Sequence, residues 1–362
     1  MEIYVLNDDL AIEGIYDEYE SIIWTARYYS CGDFELYMPL TAKNLALFQI
    51  GKYVVRDKDT LYDGENLTYK NVMIVEKRQI TTDIETGKYL IVTGRCLKSI
   101  LARRVVAFQQ QFTGTPAQVV RSFINAHAGI NADEYRKISN LNDPIVNCTY
   151  DYTITKQATG DNLMSLVEEI CKTYDMGWDI YILNGKFVCE IYVGTDRSYG
   201  QNVNSPVVFS NEFDNLLSSE YIVDKTNQKT LAYVAGEGEG ANRKIEMIGD
   251  GVDLKRYEIF VDSRNSSTND GAISDKDYAL MLTEEGKEAL AQKENSISEE
   301  ISGEIDAHGN YELGVDYFLG DVVQVITEDG ISMAPRIIEI IDSEDESGTS
   351  VIPTYSTNAT EV

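Results

Sequence analysis

The chain has 362 residues, 60 acidic and 31 basic, for a net charge of −29, a surface that repels phosphate and argues against reading or wrapping nucleic acid. Hydrophobic residues at 43% allow a sizeable core, and the length predicts two or three domains. No apolar run is long enough to span a membrane, and Met1-Glu2-Ile3-Tyr4-Val5-Leu6 lacks the basic and apolar regions of a signal peptide, so synthesis in a cytoplasm without general export is expected.

Strand signals dominate the first hundred residues. Residues 2–6, 22–28 and 34–38 are rich in Ile, Tyr and Phe between polar or Gly turns, and 53–56, 72–79 and 88–94 continue the pattern. Residues 42–49 and 97–102 predict short helices at the edges. This span, 1–105, reads as a first β-barrel-like domain.

The character changes after Arg104. Thr115-Pro116 offers an N-cap and a proline at the first helical position. Val119, Val120, Phe123, Ile124 and His127 then share one helical face, with Gly129 as a stop. A second helix carries Leu163, Leu166, Val167, Ile170, Cys171 and Tyr174 after a polar Thr159-Gly160-Asp161 start. Asn184-Gly185 separates strands 178–183 and 186–193, a strong hairpin signal. Residues 106–200 are thus an α/β domain.

Strand character returns at 215–223, 230–235, 243–247 and 255–261. Ser274-Asp275-Lys276-Asp277 starts a third helix, expected over about 274–293. Strands follow at 296–305, 321–327 and 336–341, and an acidic stretch at 342–346 with a Ser/Thr-rich end closes the chain. The span 201–362 reads as a second β-barrel-like domain with a helical insertion. It holds 33 acids against 11 bases, while residues 1–200 hold 27 against 20, so the negative charge is concentrated here. Such charge either serves solubility or forms a surface that nucleic acid passes without sticking.

Chemistry is sparsely signalled. Cys31, Cys96, Cys148, Cys171 and Cys189 show no CxxC spacing and only two histidines exist, so reduced, buried thiols are expected rather than a disulfide framework or zinc site. His127 reads as a packed side chain and His308 as part of a turn. No GxSxG, HExxH or papain-like cysteine context occurs. Gly236-Glu237-Gly238-Glu239-Gly240 carries two carboxylates and leads into a strand, so it reads as a hairpin tip rather than a phosphate loop. Asp57-Lys58-Asp59 and Asp63-Gly64-Glu65 have calcium-loop chemistry without the EF-hand spacing. The 24 tyrosines suit both strand cores and flat interfaces.

Four stretches carry a family resemblance when taken in order. They are Trp24-Thr25-Ala26-Arg27-Tyr28-Tyr29 with Gly32-Asp33-Phe34-Glu35-Leu36, and Gly94-Arg95-Cys96-Leu97-Lys98-Ser99-Ile100-Leu101 with Arg103-Arg104-Val105. Then come residues 220–224 with Val234-Ala235-Gly236-Glu237-Gly238 and Arg243, and finally Asp316-Tyr317-Phe318-Leu319-Gly320-Asp321-Val322-Val323. The succession resembles the tail-tip baseplate hub proteins of long-tailed siphophages of Gram-positive hosts and, more loosely, the hubs of contractile tails. That resemblance implies a homotrimeric ring beneath the tail tube, with two barrel-like domains per subunit matching a six-fold tube. It implies a channel for the tape measure protein and DNA, with the distal tail protein ring and fibre, receptor-binding, spike or lytic components as neighbours. Some such relatives carry a further peptidoglycan-degrading domain, which is expected to be absent here because Val362 follows soon after the last predicted strand.

The sequence therefore predicts a β-dominated α+β structural protein of the virion tail tip, with no catalytic residues, metal or cofactor and no membrane span. Trp24, Tyr28, Phe34 and Leu36 are the expected packing or interface positions of the first β domain. Leu319, Gly320, Asp321 and Val322 are those of the second. Two rivals remain: a tail-associated peptidoglycan hydrolase using a carboxylate pair, and a receptor- or carbohydrate-binding tail protein.

Overall fold

Alternation of apolar and polar side chains builds the first layer of the protein, seen in a computed structural model that describes residues 1–83, 87–268, 271–292, 295, 298–306 and 309–356. In the strand Asp33–Pro39, Phe34, Leu36 and Met38 turn inward while Glu35 is exposed. In Ser21–Arg27 the inward positions are Ile22 and Trp24, which lie opposite Leu36 and Phe34. Strands Gly87–Cys96, Met73–Asp83, Tyr53–Arg56, Ile3–Leu6 and Ile12–Tyr16 continue the sheet in that order. Ile3, Val5, Tyr16, Leu90 and Val92 join Trp24 and Phe34 in one core, so the sheet curls over its own apolar face. The short helix α1 (Ala42–Leu47), capped by Thr41, lies beside it.

That sheet continues directly into the other end of the chain. Ser21–Arg27 pairs antiparallel with Arg336–Asp345, which forms a hairpin with Gly348–Ser356, followed by Ser298–Ser302 and Glu220–Asp224. Residues 342–346 are therefore not simply an acidic run before a tail. The strand extends through Asp345, and the Ser/Thr-rich end returns as its partner. Three acids in four residues weaken the strand signal, but pairing with Ser21–Arg27 supplies what local propensity lacks.

Between these ends lies the α/β segment. Helix α2 (Pro116–His127) begins with a full capping box, Thr115 with Gln118, and proline in its first turn. Helix α3 (Leu163–Thr173) is capped by Asn162, three residues beyond Thr159, because Asn162 Oδ1 accepts from the N–H of Met164 and Ser165. Asn184 (φ +48°) and Gly185 (φ +73°) make the expected tight turn between Gly177–Leu183 and Lys186–Tyr192. Strands Thr60–Tyr62 and Leu67–Tyr69, which the chain supplies from within residues 1–105, extend this second sheet. Its core merges with the outer side of the first sheet through Leu6, Val55, Ile74, Leu97, Phe123, Ile170 and Trp178.

Within the C-terminal half, Leu231–Ala235 is flanked by Ile245–Gly249 (antiparallel) and Glu258–Asp262 (parallel), and α4 (Asp275–Ala291) covers one face. Ser274 caps α4 as its sequence predicts. The expected end of this helix near Lys293 lies outside the described residues, as does His308. The glycine- and glutamate-rich 236–240 segment joins two antiparallel strands. Among the described residues no helix is long and apolar enough to cross a membrane.

Candidate functional site at the junction of the three segments

Five consecutive residues, 27–31, leave the strand Ser21–Arg27 and are gripped from all sides. The buried ammonium of Lys98 donates to the carbonyls of Arg27 (2.6 Å) and Ser30 (3.1 Å) and stands 5.1 Å from the Trp178 ring. Trp178 Nε1 donates to the Tyr29 carbonyl at 2.7 Å. Tyr28 N donates to Ile338 O and Cys31 N to a Glu168 carboxylate oxygen, at 2.9 and 2.8 Å. The first sheet, α3, the second sheet and the C-terminal hairpin are thus tied to one short stretch of backbone.

Tyr28 is the centrepiece. Its ring is fully buried between two glycines. A Cβ on Gly177 would fall 2.1 Å from Tyr28 Cε2, and one on Gly320 would fall 2.3 Å from the same atom, so neither position has room for a side chain. Gly320 also has φ +95°, a backbone region glycine adopts freely. Burial raises the Tyr28 phenol above its ordinary value, and it remains a neutral hydroxyl near Tyr192 O and Gly194 N, each at 3.4 Å.

Around this ring the charges are paired. Arg336 lies 5.4 Å from the Tyr28 centroid and clamps Asp175 through Nε to Oδ1 (3.0 Å) and Nη2 to Oδ2 (2.7 Å). Its third arm donates to Gly320 O at 2.5 Å. Tyr29 donates to Asp175 as well. Asp321, only 2% exposed, accepts from Thr195 N (2.7 Å), Arg197 Nε (2.8 Å) and Phe318 N (3.0 Å).

The sequence-predicted positions divide into two groups. Tyr28, Gly320 and Asp321 meet at this junction. Leu319 packs half-buried on the C-terminal core while its carbonyl faces the Tyr192 hydroxyl at 3.4 Å. Val322 opens the strand Val322–Ile326 opposite Arg336. Trp24, Phe34 and Leu36 sit apart, inside the first sheet. There the Trp24 ring touches Phe34 at 5.2 Å and lies under the Arg56 guanidinium at 5.0 Å. Asp175, Arg336, Gly177 and Gly194 were not singled out from sequence, and Lys98 entered only as a member of the motif at residues 94–101. Only Gly177, at the head of an apolar strand, carries a local signal of close packing.

A second polar cluster stitches the seam. Asp342, 4% exposed, receives Arg56 Nη1 at 2.7 Å and also Lys58, while Arg56 reaches Asp59. Arg27 bridges Asp33 and Glu339, and Tyr19 donates to Glu344 at 2.8 Å. Asp59 is committed to Arg56 and Asn71, and His127 is packed beside Phe123 and held neutral by burial and Arg136. Among the described residues no group of three or more His, Cys, Asp and Glu is placed to hold a metal. The seam pairings tie the first and last of the three segments to one another.

This β-dominated architecture is that of phage tail proteins. The tail protein from Neisseria meningitidis MC58 superposes with a TM-score of 0.60 at 14% identity, covering 98% of this chain and 96% of that one. The prophage MuSo2 43 kDa tail protein from Shewanella oneidensis gives 0.57 at 13%, covering 98% of each. Prophage tail protein gp18 from Listeria monocytogenes EGD-e gives 0.55 at 12%, covering 99% and 95%. A search of curated proteins finds no match. Residues 2–355 match one family model throughout, and the chain belongs to the family of Siphovirus ReqiPepy6 Gp37-like proteins.

Proposed function

We propose that the chain is a non-enzymatic structural hub of a phage tail tip, where three copies close a ring beneath a six-fold tail tube. The observation that carries this reading is the shared sheet. One strand path runs from Ile12–Tyr16 through the Ser21–Arg27 seam to Glu220–Asp224, and among the described residues each terminal strand pairs on one side only. A path that, among the described residues, ends in an edge strand on each side supports head-to-tail continuation from copy to copy, and a heterologous contact that closes makes a cyclic oligomer.

In this reading residues 1–105 and 201–362 supply two similar wall units per subunit, and 106–200 braces them through the Tyr28 junction. Part of the acidic excess lines the channel and keeps exiting DNA from binding. The tape measure, the distal tail ring and a fibre, receptor-binding or spike protein are the neighbours, and the place of work is the virion.

Cryo-electron microscopy of tail tips containing the chain tests the proposal. Three copies around the channel, with acidic side chains facing it, are expected. A peripheral position or a copy number not divisible by three overturns the hub, and a basic lumen overturns the charge argument alone. Lysis of purified peptidoglycan that disappears on substituting a single carboxylate favours the hydrolase instead.

A further inference from the structure

Cys31 and Cys96 bring their sulfur atoms within 3.4 Å of one another, although 65 residues separate them in sequence. The backbone beneath them is already closed. Cys96 N donates to Gly32 O at 2.9 Å, and Gly32 N donates to Cys96 Sγ at 3.2 Å. The other three cysteines are placed differently. Cys148 Sγ faces the Ile191 carbonyl at 4.0 Å, while Cys171 and Cys189 are buried among apolar side chains of the α/β core.

We propose that Cys31 and Cys96 form an oxidisable dithiol site, closed to an intramolecular disulfide by a low-molecular-weight disulfide such as oxidised glutathione. A disulfide needs sulfurs about 2.05 Å apart, so each must advance by roughly 0.7 Å, a movement within reach of side-chain rotation. The two cysteines are unequally accessible. Cys31 is half-buried and open to a small reagent, whereas Cys96 is buried. Cys31 therefore reacts first. Its sulfur attacks one sulfur of oxidised glutathione, the glutathione S–S bond breaks, and the departing glutathione takes up the Cys31 proton. Cys96 then attacks Cys31 Sγ, expels the second glutathione and passes its own proton to it. Two protein thiols are oxidised and one glutathione disulfide is reduced to two thiols. The contact with Cys96 and burial hold the Cys31 thiol above its ordinary value, so access rather than acidity makes Cys31 the entry point. The same contact and the Lys98 ammonium hold the Cys96 thiol below its ordinary value, which favours the resolving step.

The site has a structural consequence. Cys31 ends the segment that carries Tyr28 and Tyr29 into the junction, and Cys96 immediately precedes Leu97–Arg103, the turn that carries Lys98. Closing the bond staples together the two exits of the first sheet that feed the junction. A reducing cytoplasm leaves the pair open and an oxidising medium closes it.

The test is thiol counting on the intact, folded chain. After exposure to oxidised glutathione, denaturation and alkylation, Cys148, Cys171 and Cys189 are expected to be the alkylated residues. A proteolytic fragment should join the Cys31 and Cys96 peptides. Full alkylation of all five cysteines, a stable glutathione adduct at Cys31 or a link between other cysteines overturns the proposal. Oxidised protein should melt several degrees higher than reduced protein, and Cys31→Ser should abolish that increment while leaving the reduced-state melting unchanged. An increment that persists in Cys31→Ser also overturns it.

Discussion

Arg336 and Asp175 meet through two parallel hydrogen bonds, at 3.0 and 2.7 Å, over the face of Tyr28. One residue opens the C-terminal hairpin and the other follows α3, so this fork joins segments 161 residues apart in sequence. Arg336→Ala should therefore destabilise the protein by about 2 kcal/mol, the loss of a partly screened, charge-assisted pair. Arg336→Lys should recover little, because one ammonium cannot serve both carboxylate oxygens and Gly320 O together. Denaturant melts of both variants check this, and a lysine variant equal to wild type refutes it.

Tyr28 and its two glycines should behave as one unit. Tyr28→Ala is expected to cost about 3–5 kcal/mol by opening a cavity. Gly177→Ala should be destabilising because its methyl collides with the tyrosine ring. The Tyr28→Ala/Gly177→Ala double variant should then lose markedly less than the sum of the two. Strict additivity in a double-mutant cycle would show that the ring and the glycine do not share the space.

Asp342 carries the seam. Removing it leaves Arg56, 4% exposed, facing Asp59 alone, so Asp342→Ala should cost about 3 kcal/mol. The surface pair Lys52–Glu13, whose carboxylate is 44% exposed, provides the contrast. Glu13→Ala should change stability by less than about 0.5 kcal/mol. Paired unfolding curves decide between buried and exposed charge as the source of seam strength.

Helix α4 docks on the α/β segment through the buried pair of Glu288 with Lys156. Burial, reinforced by Glu169 and Glu285 and opposed by Lys156, pushes the Glu288 carboxyl up to about 8. The folded state thus binds a proton more tightly than the unfolded state does. This contribution to stability is complete below the ordinary glutamate value of 4.5 and is lost as pH rises through about 8. Relative to Glu288→Gln, the wild-type melting temperature should fall progressively as pH climbs from about 5 to about 8. A constant difference between the two proteins across that range would sink the assignment.

The Glu220–Asp224 edge offers a test of ring formation. Ile222 and Val223 are 45% and 46% exposed, so Ile222→Lys with Val223→Lys should leave the melting of the single chain within about 1 kcal/mol of wild type. The same pair of lysines should block addition of a strand at that edge. If the proposed ring closes through this edge, native mass spectrometry of tip assemblies should then show no trimer, with a folded monomer retained. Trimers that survive both lysines place the subunit contact elsewhere.

Local features were legible in the sequence wherever short-range chemistry governs them. Thr115-Pro116, Ser274 and Asn184-Gly185 define two helix starts and a turn through capping, a preset φ and tolerance of left-handed backbone. None of these needs a distant partner. Trp24, Phe34 and Leu36 were expected as packing or interface positions and lie within the core of the first sheet, and the family resemblance rested on motifs at the right order and spacing. Long-range choices were not legible. Gly348–Ser356 carries strand-favouring Val351, Ile352, Thr354 and Tyr355 but is interrupted by Pro353, so its place as the partner of Arg336–Asp345 is set by the long ladder between them. Asp342 is buried because Arg56 and Lys58 await it across the seam. The meeting of Tyr28, Gly177 and Gly320, like that of Cys31 and Cys96, depends on which strands pair over tens to hundreds of residues. Periodicity establishes which way a side chain faces, but only tertiary pairing decides what it faces.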